Sequence, residues 1–109
     1  MTYAEITAMI DGVNIPSAYH HFPNNSGQQP PFICFYYDQS DDLYADNSNY
    51  QKIETLVIEL YTDYKDFALE GDVENALKNA GLTWQRTEQF IESESMHETI
   101  YTTEVIINV

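Results

Sequence analysis

Positive charge is scarce in this sequence. Four Lys and Arg residues stand against eighteen Asp and Glu among 109 residues, a formal balance of 4 − 18 = −14. The four cations, Lys52, Lys65, Lys78 and Arg86, are scattered rather than clustered. Nucleic-acid affinity comes mainly from neutralising phosphates, so this distribution excludes direct nucleic-acid binding. An acidic chain can still work beside DNA, as a mimic of it or as a wall that repels it. Cysteine is limited to Cys34, so neither an intrachain disulfide nor a thiolate zinc cluster can be assembled, and a reducing compartment suits the chain. No stretch approaches the roughly 18 to 20 consecutive apolar residues that span a bilayer. Met1-Thr2-Tyr3-Ala4-Glu5 lacks the basic and apolar regions of a signal peptide, so the expectation is a soluble intracellular protein without a membrane partner.

What is present argues for a packed core. Hydrophobic residues make up 43% and aromatics 14%, too rich for a disordered acidic tail, so the charge belongs to a surface around a folded interior. The length suits one sheet packed on one or two helices, and the expectation is a single domain over residues 1–109.

Thr2 with Glu5 matches a capping box, and Ile6, Met9 and Ile10 share one helical face. They predict a helix over 3–11, with Gly12 as its left-handed stop. Residues 18–22 read as a short strand or extended segment after Pro16. The stretch from Pro23 to Pro31 is a loop, with little to bury and prolines to end it. Phe32-Ile33-Cys34-Phe35-Tyr36-Tyr37 reads as a strand covered on both faces and is expected at the centre of the sheet. An acidic loop carrying Asp41, Asp42 and Asp46 is expected before a long strand over 50–62. In that strand Leu56, Ile58 and Leu60 face one way, and Ile53, Val57 and Tyr61 the other. Asp66 is a plausible N-cap for a second helix carrying Phe67, Val73, Ala76, Leu77 and Ala80. Gly71 weakens its first half, which puts the firm part near 71–80, and Gly81-Leu82 gives a Schellman stop. The remainder predicts a C-terminal hairpin, 84–92 and 99–107, around a polar break at 93–95. The order α-(β)-β-β-α-β-β predicts an α+β fold: a mostly antiparallel sheet of four to five strands, joined by hairpins, packed against two helices.

No group of residues carries recognisable chemistry. Cys34 with His20 or His21 could pair a nucleophile with a base, but a cysteine in the most apolar strand behaves as a small buried hydrophobe. His20, His21 and His97 could ligate a metal; adjacent residues of a strand point to opposite faces, which argues against it. Asp38, Asp41, Asp42 and Asp46 fit no EF-hand loop and read as a solvated acidic loop. Glu88, Glu92, Glu94, Glu98 and Glu104 offer carboxylates without the placement a glycosidase or nuclease needs. No glycine-rich phosphate loop or nucleophile elbow is present. The sequence therefore predicts no catalytic, cofactor or metal residues and a protein that is not an enzyme. Nine tyrosines are more telling. Tyr36, Tyr37, Tyr44, Tyr50, Tyr61, Tyr64 and Tyr101 lie in or beside expected strands, where tyrosine suits sheet packing and subunit contacts alike.

Two longer stretches carry a resemblance. Ile53-Glu54-Thr55-Leu56-Val57-Ile58-Glu59-Leu60-Tyr61-Thr62-Asp63-Tyr64-Lys65-Asp66 is followed by a helix containing Val73-Glu74-Asn75-Ala76-Leu77. Trp84 and Ile91-Glu92-Ser93-Glu94-Ser95 come next, with Pro31-Phe32-Ile33 ahead of the first strong strand. Together they resemble the tail terminators, head-tail joining minor tail proteins of long-tailed phages and prophages of Gram-positive bacteria. The resemblance implies a structural virion-assembly protein. Such a protein forms a ring, usually of six subunits, on the head-proximal end of the tail tube, stops tube growth and joins the tube to the head connector. It further implies a homo-hexameric ring, the tail tube protein and head-tail connector proteins as partners, and a place in the cytoplasm of an infected or lysogenic bacterium during assembly and then in the virion tail. An acidic ring lumen would repel passing DNA. The family supplies no catalytic residue. Asn24, Asn25 and Gln28 in the proline-flanked loop, and Asp41, Asp42 and Tyr44 in the acidic one, are the candidate ring or tube contacts, because folding needs do not explain either loop. Two alternatives stay open: a small acidic DNA mimic that inhibits a host DNA-binding protein, and another head-tail connector component such as a head-completion or stopper protein.

Overall fold

The computed structural model describes residues 1–23, 27–40, 43–45 and 48–108, with residues 43–45 and 48–51 described by their backbone alone. Helix α1 spans Tyr3–Asp11. Its capping box forms as the sequence predicts: the Glu5 amide donates to the Thr2 hydroxyl at 3.1 Å, and the Thr2 amide donates to the Glu5 carboxylate at 2.8 Å. Gly12 is not the left-handed stop. It keeps right-handed geometry (φ −65°), and Asn14 takes the positive φ of 69° two residues later, a conformation asparagine tolerates better than most side chains.

Strands β1 (Ser17–Tyr19), β2 (Phe32–Ser40), β3 (Leu43–Ala45) and β4 (Ser48–Thr62) follow. Helix α2 (Phe67–Asn79), β5 (Gln85–Ile91), a 3₁₀ turn over Glu92–Glu94 and β6 (Met96–Ile107) complete the order. The main sheet runs β1-β2-β4-β6-β5, and β3 pairs with β4 off this path. This is the expected α+β fold with a mostly antiparallel sheet, modified in three places.

First, β4 takes the centre. It pairs with β2 on one side and with β6 over eleven residues, Lys52 to Thr62, on the other. The apolar run 32–37 lies one strand nearer the edge, and its burial on both faces has a local cause, described below. Second, β1 pairs parallel to β2, Ser17 opposite Ile33 and Tyr19 opposite Phe35, so the connection through Pro23–Pro31 returns across the sheet instead of closing a hairpin. Third, the expected acidic loop is largely a ribbon: β3 pairs antiparallel with the first residues of β4. At about 3.3 Å per residue, the fifteen-residue β4 is as long as the 50 Å longest extent of the molecule.

Helix α2 begins at Phe67 rather than near residue 71. The Leu69 amide donates to the Asp66 carboxylate at 3.0 Å, and burial of Glu70 and Val73 holds the first turns in spite of Gly71. Its end is the predicted Schellman motif: Gly81 has φ 76°, and the Leu82 amide donates back to the Leu77 carbonyl at 3.0 Å.

Strand alternation divides the sheet into two faces. On one, Ile33, Phe35, Leu56, Ile58, Leu60, Tyr101, Val105 and Ile107 meet Ile6 and Ile10 of α1 and Val73 and Leu77 of α2 in a continuous core. The other face, over which no helix lies among the described residues, carries Cys34, Val57, Glu59, Tyr61, Glu98 and Ile100.

Candidate functional site

The helix-free face buries an acidic side chain, Glu98, without an obvious folding need. Its upper half is covered by the segment that returns from β1 to β2. The Phe22 ring meets the Phe32 edge at a centroid distance of 5.4 Å, Phe32 stacks on Tyr61 at 4.8 Å, and His20 leans on Tyr36 at 5.6 Å. This cover explains why Phe32 and Cys34 are buried although β2 is not central. Between cover and sheet lies an open cleft of about 460 Å³ lined by His20, His21, Phe22, Gln28, Cys34, Tyr61 and Glu94 among others.

Beneath the cleft floor sits a carboxyl pair. Glu59 of β4 and Glu98 of β6 lie on neighbouring strands, close enough for Glu98 to raise the Glu59 carboxyl; Glu98 is 3% exposed, and the Gln89 side-chain amide donates to its Oε1. The Tyr61 hydroxyl donates to Glu59 at 3.3 Å. Burial, then the neighbouring Glu98, pushes Glu59 up to about 7, so Glu59 holds its proton well above the usual carboxylate range. Burial and the neighbouring carboxylates also raise the Tyr61 phenol and the Cys34 thiol. Cys34 is thus kept as a thiol, which makes it a poor nucleophile.

The histidines need one correction. His20 and His21 do not point apart: His20 has φ 70°, and the two rings meet edge-to-face at 5.3 Å. The left-handed backbone ends strand alternation at that point. His97 lies on the opposite face, beside Phe90 and 3.8 Å from Glu88. Among the described residues no three His, Cys, Asp or Glu side chains are placed to hold a metal ion.

On the helix-covered face, the edge of the sheet is tied to α2 by a charge lattice. Arg86 donates to Glu74 at 3.1 Å and lies 3.7 Å from the buried Glu70 carboxylate. Lys65 bonds Glu70 at 2.9 Å and also Glu88. The buried Tyr101 hydroxyl donates to Glu74 at 2.9 Å. Two of the chain's four cations, Lys65 and Arg86, are committed to this lattice, and Lys65 also sits over the Phe67 ring at 4.9 Å; Lys78 lies in the last turn of α2.

Of the candidate contact residues, Gln28 lines the cleft and bonds to the Gln29 carbonyl. Tyr44 has its backbone in β3, a strand and not the loop expected. Asn24, Asn25, Asp41 and Asp42 lie outside the described residues. The structure brings together residues that sequence reasoning left apart: Glu59, Glu98 and Tyr61. The alternation of β4 put Tyr61 on the second face, and the same parity puts Glu59 there. The partner Glu98 follows only from the β4–β6 register, which pairs it with Tyr61.

No family model matches the chain, and no curated protein matches it. Among solved structures, a chain of the "Virion of native gene transfer agent (GTA) particle" superimposes with a TM-score of 0.64 at 14% identity, over 92% of this chain and 84% of that one. At that identity the likeness establishes a common fold.

Proposed function

We propose that this chain is a structural virion-assembly protein, a tail terminator that builds a ring on the head-proximal end of a tail tube, stops its growth and joins it to the head connector. The observation that carries the reading is the fold likeness to a virion chain along nearly the full length of both partners. The sequence resemblance points the same way. A thiol held protonated and histidines divided between two faces fit work done by surfaces and not by chemistry. The partners in this reading are other copies of the chain in a ring of six, the tail tube protein and the connector proteins, and the place of work is the virion tail. Gln28 and Tyr44, with Asn24, Asn25, Asp41 and Asp42, are the proposed ring or tube contacts. The net charge of −14 suits a lumen that lets DNA slide past.

Light scattering behind a sizing column, with negative-stain images of the largest species, tests the ring in the presence of tail tubes. Rings of six at tube ends support the reading. A chain that ignores tubes but is retained, in a salt-dependent way, by a basic DNA-binding protein would favour the DNA-mimic alternative.

A further inference from the structure

Strand β5 is an edge that lacks the usual protections. Sheets guard their edges with proline, bulges, very short strands or outward-facing charges. β5 has seven residues, no proline and an unbroken register with β6 from Gln85–Thr102 to Ile91–Met96. Its two charges, Arg86 and Glu88, point to the helix-covered side, where Glu74 and Lys65 hold them. The other side of the strand presents neutral Gln85, Thr87 and Gln89, all exposed. The rim beside it is apolar: Tyr64, Phe67 and Phe90 are 66%, 74% and 54% exposed, and Lys65 links Phe67 to Glu88.

We propose that β5 is a self-association edge, pairing antiparallel with β5 of a second copy of this chain about a twofold axis through Thr87. The register follows from side-chain complementarity. An axis perpendicular to the sheet keeps both helical layers on one side, which restricts the pairs to residues of like parity. Centred on Thr87, the pairing sets Arg86 opposite the second copy's Glu88 and Glu88 opposite its Arg86. Threonine meets threonine at the axis, Gln85 meets Gln89, and Trp84 meets Phe90. Each is a favourable cross-strand combination. Centring on Glu88 would set carboxylate against carboxylate, and centring on Arg86 would oppose two guanidinium groups. Arg86 and Glu88 each keep 46% of the side chain exposed, so both can reach across while keeping their partners within the chain, Glu74 and Lys65. The contact is smaller than standard interfaces and joins two acidic chains, so the dimer is weak and strengthens with salt as repulsion is screened. It belongs to the free chain and does not depend on the virion reading.

Cross-linking tests it directly, because Cys34 is buried and is the sole natural cysteine. Under mild oxidation Thr87→Cys should give a disulfide dimer on its own. Gln85→Cys and Gln89→Cys should each stay uncrosslinked alone and cross-link only when mixed. Thr87→Lys, at an exposed site that leaves the fold intact by circular dichroism, should weaken the dimer about tenfold in sedimentation equilibrium, as two like charges meet at the axis. A wild-type chain that is monomeric up to its solubility limit, with Thr87→Cys unlinked after oxidation, would overturn the proposal. So would cross-linking of Gln89→Cys alone, which would require another register.

Discussion

The two faces of one sheet follow different rules. On the helix-covered face the middle of β4 is apolar and fully buried at Leu56, Ile58 and Leu60; the polar groups buried there are short threonines of the neighbouring strand, Thr99 and Thr103, together with Glu70 and the Tyr101 hydroxyl, which have partners. On the helix-free face the same strands carry Cys34, Glu59, Tyr61 and Glu98 under an aromatic flap. The first face is built for stability. The second accepts a carboxyl pair that no core requires, Glu98 buried and Glu59 half-buried, and with it a dependence on pH.

Mutations can break that comparison. Ile58→Ala, at 1% exposure, should cost about 4 kcal/mol in urea unfolding through lost burial and a cavity between sheet and helices. On the other face Ile106→Ala, at 48% exposure, should cost under about 0.5 kcal/mol. Equal losses at the two sites would mean that the helix-free face also belongs to a core.

The carboxyl pair predicts the sign of the pH response. Glu59 has a folded value near 7 against an ordinary 4.5, so its contribution is fully present below about pH 4.5, where it is protonated in both states. That contribution is lost as pH rises through 7. Glu59→Gln, which stays neutral, should flatten the stability profile between pH 4.5 and 7. At pH 8 it should stabilise the chain by about 1 to 2 kcal/mol, a figure reduced for solvent screening of a partly exposed group. A wild-type profile without a fall across this window would show that Glu59 ionises normally.

Smaller effects sharpen the account of the helices. Thr2→Ala removes the N-cap acceptor of α1 and should cost about 1 kcal/mol in thermal unfolding. Gly71→Ala should raise stability by about 0.5 to 1 kcal/mol: the residue is helical, and an added methyl group meets no atom within 4 Å.

The sequence made the helix-covered face legible, because its signals are local. The capping box at Thr2 and Glu5, the Asp66 cap, the Gly81-Leu82 stop and the alternation of residues 56–60 all act within a few residues. The helix-free face depends on contacts distant in sequence. The position of β4 at the centre, the parallel docking of β1 and the meeting of Glu59 with Glu98 depend on strand order and register, which no short window encodes. The pairing of His20 with His21 was hidden for another reason: it depends on one positive φ at a residue that carries no glycine signal. Gly71 misled in the opposite direction, since tertiary burial of the first turns of α2 outweighs its propensity cost.

The proposed role of this chain is to end a tail tube through its surfaces. The most direct measurement is the length distribution, by negative-stain microscopy, of tubes polymerised from the tail tube protein of the same particle, with and without this chain added in substoichiometric amounts. The account predicts shorter tubes that carry a ring of extra density at one end and do not grow when more tube protein is supplied. Tubes of unchanged length, with bare ends and the added chain left free in solution, would contradict it.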